Sequence, residues 1–401
     1  MFGKKLMRII KKQMECILHG DFKTPLRTLN NYAPYLLSLI SLPHTYCQQN
    51  HAISSINKNV KTLVIYFIPQ VKAVSGGIKS IFNMHAVTNN LLRSDDCEVL
   101  LITLPSIITY AKNNLFKNTS PIFRLSQITA FTNIDKLIIH IPEYAVVNFA
   151  SSLNKKYKQY LSSIPNVQIN IMNQNSLLCP PPKTCNILRN ITSNITQTTA
   201  FARDTTQERA NLYNMPVHLF GAMDNPSEYH LKIYSEKKNI IVLSPDLCPF
   251  LGEKGPAMVE MIRSILSEQL PDYQQVVVSN MKYADYLTLI SDAKYAITFG
   301  EGYDSYFIQP HLSGSISFTV YNDMFFPCPE WSKFPTVFSS YEKMADEIVD
   351  LIHHYDSHPN EYAELNKKIC EEYSIGRFTP EIFAENLLRY YRGEYDYVPQ
   401  N

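Results

Sequence analysis

A surplus of charge of either sign is missing from this chain: Lys plus Arg number 37 against 36 for Asp plus Glu, a net charge of +1 over 401 residues. That balance excludes the basic field on which nucleic-acid binding rests, and it points to no acidic polymer. Cys-x-x-Cys pairs are also absent. The eight cysteines (Cys16, Cys47, Cys97, Cys179, Cys185, Cys248, Cys328, Cys370) are scattered without histidine clusters. This argues against a zinc site or a disulfide framework, and a reducing, cytoplasmic setting follows as the expectation. No apolar run approaches the roughly 20 residues that cross a bilayer. The longest, Tyr35 to Leu42, is stopped by Pro43. The first twenty residues lack the apolar core and cleavage signal of a secretory leader.

What those first residues do contain is Lys4, Lys5, Arg8, Lys11 and Lys12 among Phe2, Leu6, Met7, Ile9, Ile10 and Met14. They read as a basic amphipathic helix with two open roles: packing on the globular body, or peripheral contact with an anionic membrane through residues 1–20, at the inner face of the cell membrane.

Length favours more than one domain. After a helical N-terminal extension (1–58), strand candidates at Leu63–Ile68, Val99–Thr103, Leu137–Ile141 and Val167–Met172 are separated by helical stretches such as Ile78–Leu92, a pattern of parallel sheet with crossover helices. The stretch from about Asn173 to Tyr229 is rich in Pro, Asn and Thr, and Cys179-Pro180-Pro181-Pro182 breaks the alternation. A second series begins at Asn239–Ser244. It continues through a helix from Pro256 to Leu270, a strand Gln275–Ser279, a helix Tyr283–Ile290, strands Tyr295–Phe299 and Ser315–Val320, and a helix around Tyr341–His353. The expected fold class is α/β, with two Rossmann-like domains, 59–230 and 231–378, facing each other across a cleft, and residues 379–401 as a C-terminal helix. Interdomain clefts are favoured ligand sites.

Three constellations carry chemistry. Ser75-Gly76-Gly77 follows the first strand and precedes a helix, so backbone amides at a helix N-terminus can approach an anion. The third glycine of a dinucleotide fingerprint is missing. In the second half, Ser244 ends a strand, and Gly252-Glu253-Lys254-Gly255-Pro256 leads into a helix, which sets a lysine beside a helix start. Finally, Thr298-Phe299-Gly300-Glu301-Gly302-Tyr303-Asp304-Ser305 stands between two buried strands, where open α/β sheets place ligands. Helical turns start near Tyr306, and amides from Asp304 to Phe307 could then hold a diphosphate while Glu301 accepts hydrogen bonds from hydroxyls. The aromatic group Tyr303, Tyr306, Phe307, Phe325 and Phe326 reads either as a sugar platform or as core. His353 and His354, late in a helix, read as surface residues.

Together these elements resemble the retaining glycosyltransferases of family 4, which have the GT-B fold. The resemblance covers residues 60 to 395 or so and is strongest from Phe299 to Gly314, aligned with a signature of a glutamate, seven residues and a second glutamate, then a small residue and glycine. It implies transfer of a sugar from a nucleotide-diphosphate donor to a hydroxyl of a glycan or lipid-linked acceptor, in surface polysaccharide or glycoconjugate synthesis. No cofactor is implied, and with no Asp-x-Asp signature placed in the cleft, no metal either. Carried over by position, Gly76 and Gly77 approach the donor phosphates or acceptor, Lys254 binds the diphosphate, and Glu301 contacts the transferred sugar. Amides of Gly302, Tyr303, Asp304 and Ser305 surround that sugar, with Ser244 at the neighbouring strand end. Asn280 and Met281 flank the nucleobase, His140 stands near the donor sugar with Glu143, three residues on, as its orienting partner or an acceptor contact, and the last helix crosses back to the first domain.

Two departures stand out. The second glutamate of the signature is Gln309 here, an uncharged partner for ribose hydroxyls, and the arginine usual after the first strand of the second half is replaced within Ser244-Pro245-Asp246. They leave open an alternative: a catalytically silent GT-B protein that binds nucleotide or glycan within a larger assembly.

Overall fold

The computed structural model describes residues 40–71, 75–105, 108–116, 118–221, 223, 225–374 and 379–400. The basic segment 1–20 lies outside them, as does Phe378. A helix over 40–54 leads into a seven-stranded, all-parallel sheet. Its strands are β1 (Thr62–Ile68), β2 (Cys97–Thr103), β3 (Ile122–Arg124), β4 (Lys136–Pro142), β5 (Asn166–Asn173), β6 (Ile195–Thr199) and β7 (Val217–Leu219), in the order β3-β2-β1-β4-β5-β6-β7. The longer strands are near-continuous apolar runs because helices cover both faces. Helix α1 (Gly76–Leu92) follows β1, starting at Ser75, whose hydroxyl accepts from Ile78 N.

The second sheet has five parallel strands, β8 (Lys238–Leu243), β9 (Gln274–Val277), β10 (Ala293–Ile297), β11 (Ile316–Val320) and β12 (Val337–Phe338), ordered β12-β11-β10-β8-β9. Its helices are α2 (Gly255–Gln269), α3 (Tyr283–Asp292), α4 (Ser305–Leu312), α5 (Tyr341–Ser357) and α6 (Pro359–Ser374). Pro256 sits in the first turn of α2, where its missing N–H would be unpaired anyway.

Helix α7 (Pro380–Arg392) returns to the first sheet. Tyr390 Oη meets Thr196 Oγ1 at 2.8 Å and accepts from Gln168 Nε2 at 2.9 Å, while Tyr391 Oη meets Tyr66 Oη at 2.7 Å. The chain end is held as well: Tyr397 pairs antiparallel with Val217, and Leu219 N donates to Asp396 Oδ2 at 2.8 Å.

Two elements depart from the sequence reading. The Pro- and Thr-rich stretch after Asn173, read as a break, supplies β6 and β7. Residues 195–199, Ile-Thr-Gln-Thr-Thr, carry little apolar signal, yet all are buried, because partners such as the α7 tyrosine and Asn170 satisfy their hydroxyls. The other departure is α6, whose few apolar positions, Tyr362, Leu365 and Ile369, reach the second core.

Candidate functional site

In the second sheet β8 lies between β9 and β10, so the loops after β8 and β10 diverge from a topological switch point, where such sheets bind ligands. Ser244, one residue beyond β8, ties the strand ends together. Its N–H donates to Ile297 O and its hydroxyl accepts from Phe299 N, both at 2.9 Å. It is buried and fixes the loop from within instead of offering its hydroxyl to the cleft.

The next loop is built around Asp304. This residue caps α4 by accepting from Tyr306 N at 2.8 Å and Phe307 N at 3.0 Å, and it also accepts from Thr298 Oγ1 at 2.8 Å. Asp246 closes on the same place. A β-carbon added to Gly300 would stand 2.8 Å from Asp304 Oδ2 and 3.0 Å from Asp246 Oδ2, so only glycine fits between the two carboxylates. Glu301 follows directly, and its Oε1 accepts from Asn175 Nδ2 of the first domain at 3.0 Å. Three carboxyl groups therefore gather at the switch point. Burial raises the Asp304 pKa to about 7, with Asp246 and Glu301 adding to the shift against the Thr298 and Phe307 hydrogen bonds. Burial first and Asp246 second raise that of Glu301, while Arg203 and the Asn175 hydrogen bond oppose.

Glu301 borders a cavity of about 200 Å³ walled by Phe250, Leu251, Val320, Tyr321, Asn322 and Glu342, among others. This is below the roughly 300–1,000 Å³ of pockets for drug-sized ligands, and suits one sugar ring better than a whole nucleotide.

Across the cleft stands the N-terminus of α1. A β-carbon on Gly76 would lie 3.6 Å from Ser305 Oγ, the first residue of α4, so the positive ends of two capped helices face each other. Gly77 is tighter, with Gln174 Oε1 3.1 Å from such a β-carbon. A bridge of side chains also spans the domains: Lys79 Nζ donates to Tyr283 Oη and pairs with Glu228 Oε2 at 3.2 Å, while Gln309 Nε2 reaches Tyr283 Oη at 3.3 Å.

The remaining positions singled out from the sequence fall in four groups. Gly302 and Ser305 lie on the cleft loop with Glu301 and Asp304; Gly302 takes φ +95°. Lys254, at the turn before α2, is exposed and outside the cavity wall, and its charge is felt by Glu342 at the rim. Asn280, at φ +50°, is exposed after β9, and Met281 packs on the apolar cluster shared by the two domains.

Three positions lie away from the open cleft. His140 is fully buried, its Nε2 paired with Tyr391 Oη at 3.0 Å, its Nδ1 with Asn170 Nδ2 at 3.0 Å and its ring stacked on Tyr66 at 4.2 Å. Burial lowers its pKa to about 3 and keeps it neutral. The reading of His140 as a donor-sugar contact is corrected accordingly: Asn170 of β5 and Tyr391 of α7, not the cleft, take up its two ring nitrogens. Tyr303 is half-buried and packs its ring at 5.0 Å from Trp331 and 5.4 Å from Phe326, at the edge of the second core. Gln309 is buried against Tyr283, so its amide serves the interdomain bridge.

No protein-family model matches the chain, and no curated protein does. Among solved structures, sucrose-phosphate synthase from Thermosynechococcus elongatus aligns with TM-score 0.51 and 10% identity, over 83% of this chain and 99% of that one. The fold is GT-B. A glycosyltransferase from Rickettsia africae ESF-5 follows at TM-score 0.48 and 11% identity, over 83% and 98%. The UDP-GlcNAc 2-epimerase from Neisseria meningitidis bound to UDP-GlcNAc gives 0.44 and 11%, over 83% and 99%. At such identities the likeness concerns the fold. In this GT-B chain, Asp246 and Asn175 are the neighbours of Gly300 and Glu301 that motif reading passed over; Asp246 was visible only as the absence of an arginine, and Asn175 stands in a stretch read as a break.

Among the described residues, one further group brings possible metal-ligand atoms within 4.8 Å of one another: His354, His358 and Glu361, all exposed at the α5–α6 corner. There His354 Nε2 already meets Glu361 Oε2 at 2.9 Å. No helix among the described residues is long and apolar enough to cross a membrane.

Proposed function

We propose that the protein is a glycosyltransferase that moves a sugar from a nucleotide-diphosphate donor to a hydroxyl of a glycan or lipid-linked acceptor. The observation that carries this reading is Glu301 at the edge of a one-ring cavity, beside the facing N-termini of α1 and α4. In this reading Glu301 accepts hydrogen bonds from the sugar hydroxyls, and the leaving diphosphate rests on amides of Gly76, Gly77, Gly302 and Ser305, with Lys254 supplying positive charge from the rim. One preorganised donor of this kind is worth about a hundredfold to a thousandfold in rate. No metal is required for that stabilisation. The resemblance to glycosyltransferase family 4 supports retention of configuration, synthesis of surface polysaccharide or glycoconjugate, and work at the cytoplasmic face of the membrane with the basic segment 1–20 as peripheral contact.

A panel of nucleotide sugars screened for thermal stabilisation, followed by donor turnover, tests the reading. One donor is expected to stabilise the protein and to be consumed. Stabilisation by none of the panel would sink it, and binding without turnover would favour the silent GT-B alternative. Two observations support that alternative: Gln309 is engaged by Tyr283, and Asp246 places negative charge where a diphosphate would need the opposite. Asp246→Asn is therefore expected to tighten UDP binding about fivefold, since a partly solvated charge pair contributes on the order of 1 kcal/mol. Calorimetry showing an unchanged Kd would refute the placement of Asp246 beside the phosphates.

A further inference from the structure

The corner between α5 and α6 gathers three side chains that the proposed transfer does not use. His354 lies in the last turn of α5, His358 caps its end, and Glu361 stands in the first turn of α6. Each offers one possible ligand atom, and these atoms lie within 4.8 Å of one another. All three residues are exposed, so an ion in solution can reach them. Helix α5 starts at the cavity, where Tyr341 and Glu342 form part of the wall, and runs 17 residues from there, roughly 25 Å at the α-helical rise. The corner is therefore a separate place from the one-ring cavity.

The backbone that carries the three groups is anchored from its buried side. Asp356, in the last turn of α5, accepts from the hydroxyls of Tyr273, Tyr295 and Tyr234 at 2.7, 2.9 and 2.8 Å. Tyr362, beside Glu361, is 1% exposed and donates to Lys294 O at 2.6 Å. Between them the turn is closed by Glu361 N and Tyr362 N, which both donate to His358 O, at 3.0 and 3.1 Å. Ligands on fixed elements are what a metal site needs, and only side-chain rotation is left to adjust. The orientation of His358 fits as well. Its Nδ1 meets His354 O at 2.8 Å. A carbonyl only accepts, so Nδ1 carries the proton and the lone pair of the neutral ring is on Nε2. Metal-binding histidines are usually held in this way, by a backbone carbonyl on the other ring nitrogen. His354 Nε2 faces Glu361 Oε2 at 2.9 Å, and the two imidazoles lie side by side with centroids 4.5 Å apart.

We propose that His354, His358 and Glu361 bind a divalent transition ion of the zinc type, which clips the end of α5 to the start of α6. Two imidazole nitrogens and a carboxylate oxygen suit Zn²⁺, whereas Mg²⁺ and Ca²⁺ take oxygen ligands. Zinc bonds of about 2.0–2.2 Å set tetrahedral ligand atoms roughly 3.3–3.6 Å apart. His354 Nε2 and Glu361 Oε2 therefore part by a few tenths of an ångström, and the third atom closes by rotation of an exposed ring. The proton now shared between His354 and Glu361 leaves to solvent, and the ion takes its place. With three protein ligands one position stays open to water, so the ion exchanges with solution. The clip does not depend on the glycosyltransferase reading and stands or falls by itself.

Calorimetric titration of the full chain with zinc chloride tests the proposal, repeated on His354→Ala, His358→Ala and Glu361→Gln. The wild type is expected to bind zinc at this site, and each variant to weaken that binding by more than about tenfold. His353→Ala, one position along the same helix, should leave it unchanged, and an equal concentration of magnesium should not compete. Zinc should also raise the melting temperature of the wild type by a few degrees, since an ion that binds only the folded state stabilises it, and should raise that of His358→Ala less. Without zinc the variants should melt as the wild type does, because an exposed ion pair contributes little. Failure of the wild type to bind zinc overturns the proposal, as does binding that survives intact in all three variants. Binding lost equally in His353→Ala would place the ion elsewhere on the helix, and zinc binding that leaves the melting temperature unmoved would remove the clip.

Discussion

Glu301→Ala is expected to lower kcat/KM on the order of a thousandfold while the protein melts as the wild type does. Among the described residues the carboxylate has one hydrogen-bond partner, the Asn175 side chain, and burial already disfavours its charged form, so its removal asks little of the fold. In the proposed complex it accepts from two sugar hydroxyls. Each hydrogen bond to a charged group is worth about 1.5–3 kcal/mol, and the loss of two at the transition state corresponds to that fall in rate. Steady-state kinetics with a parallel thermal melt give the answer. Retained turnover would show that the sugar sits elsewhere, and a collapsed melting temperature would show that Glu301 is structural.

Gly302→Ala, one residue away, should do the opposite and damage both. The backbone at Gly302 has φ +95°, and an added β-carbon would lie 2.6 Å from Val320 O and 3.0 Å from Phe326 Cε2. Strain in that region costs about 1–3 kcal/mol for a residue other than glycine, and overpacking adds about 1–3 kcal/mol. A loss of roughly 3 kcal/mol in urea unfolding is expected. Because Glu301 is carried on the same turn, a displacement of about 1 Å would also lower the rate by about a hundredfold. Unfolding and activity that both match the wild type would show that the turn can relax without moving the carboxylate.

How much of this was legible in the chain depended on what each residue spends its polarity on. The strands β1, β2, β4, β5, β8, β10 and β11 declare themselves as apolar runs, and the glycines around Glu301 mark a loop whose position between two strands is already that of a ligand site. Strand β6 was hidden because Thr196 and Thr198 carry hydroxyls whose partners, Tyr390 and Asn170, are distant in sequence. His140 misled for the same reason. A histidine at the end of a buried strand looks poised for chemistry until Asn170 and Tyr391 are seen to occupy both ring nitrogens. Asp246 and Asn175 belong to no local motif, and only the three-dimensional approach of Asp246 to Gly300 and of Asn175 to Glu301 gives them meaning.

The return of α7 has a consequence for the order in which the chain can be made. Gln168 of β5, Thr196 of β6 and Tyr66 of β1 all meet tyrosines at positions 390 and 391, and Tyr397 adds a backbone pair at the edge strand β7. During synthesis these polar atoms face a surface that has no lid until residues 380–397 have left the ribosome, and burying them unpaired is costly. The half that emerges first is therefore the half that finishes last. Its strands wait, partly wet, while the second domain folds behind them, and truncation before Pro380 would leave the first domain, not the second, exposed to aggregation.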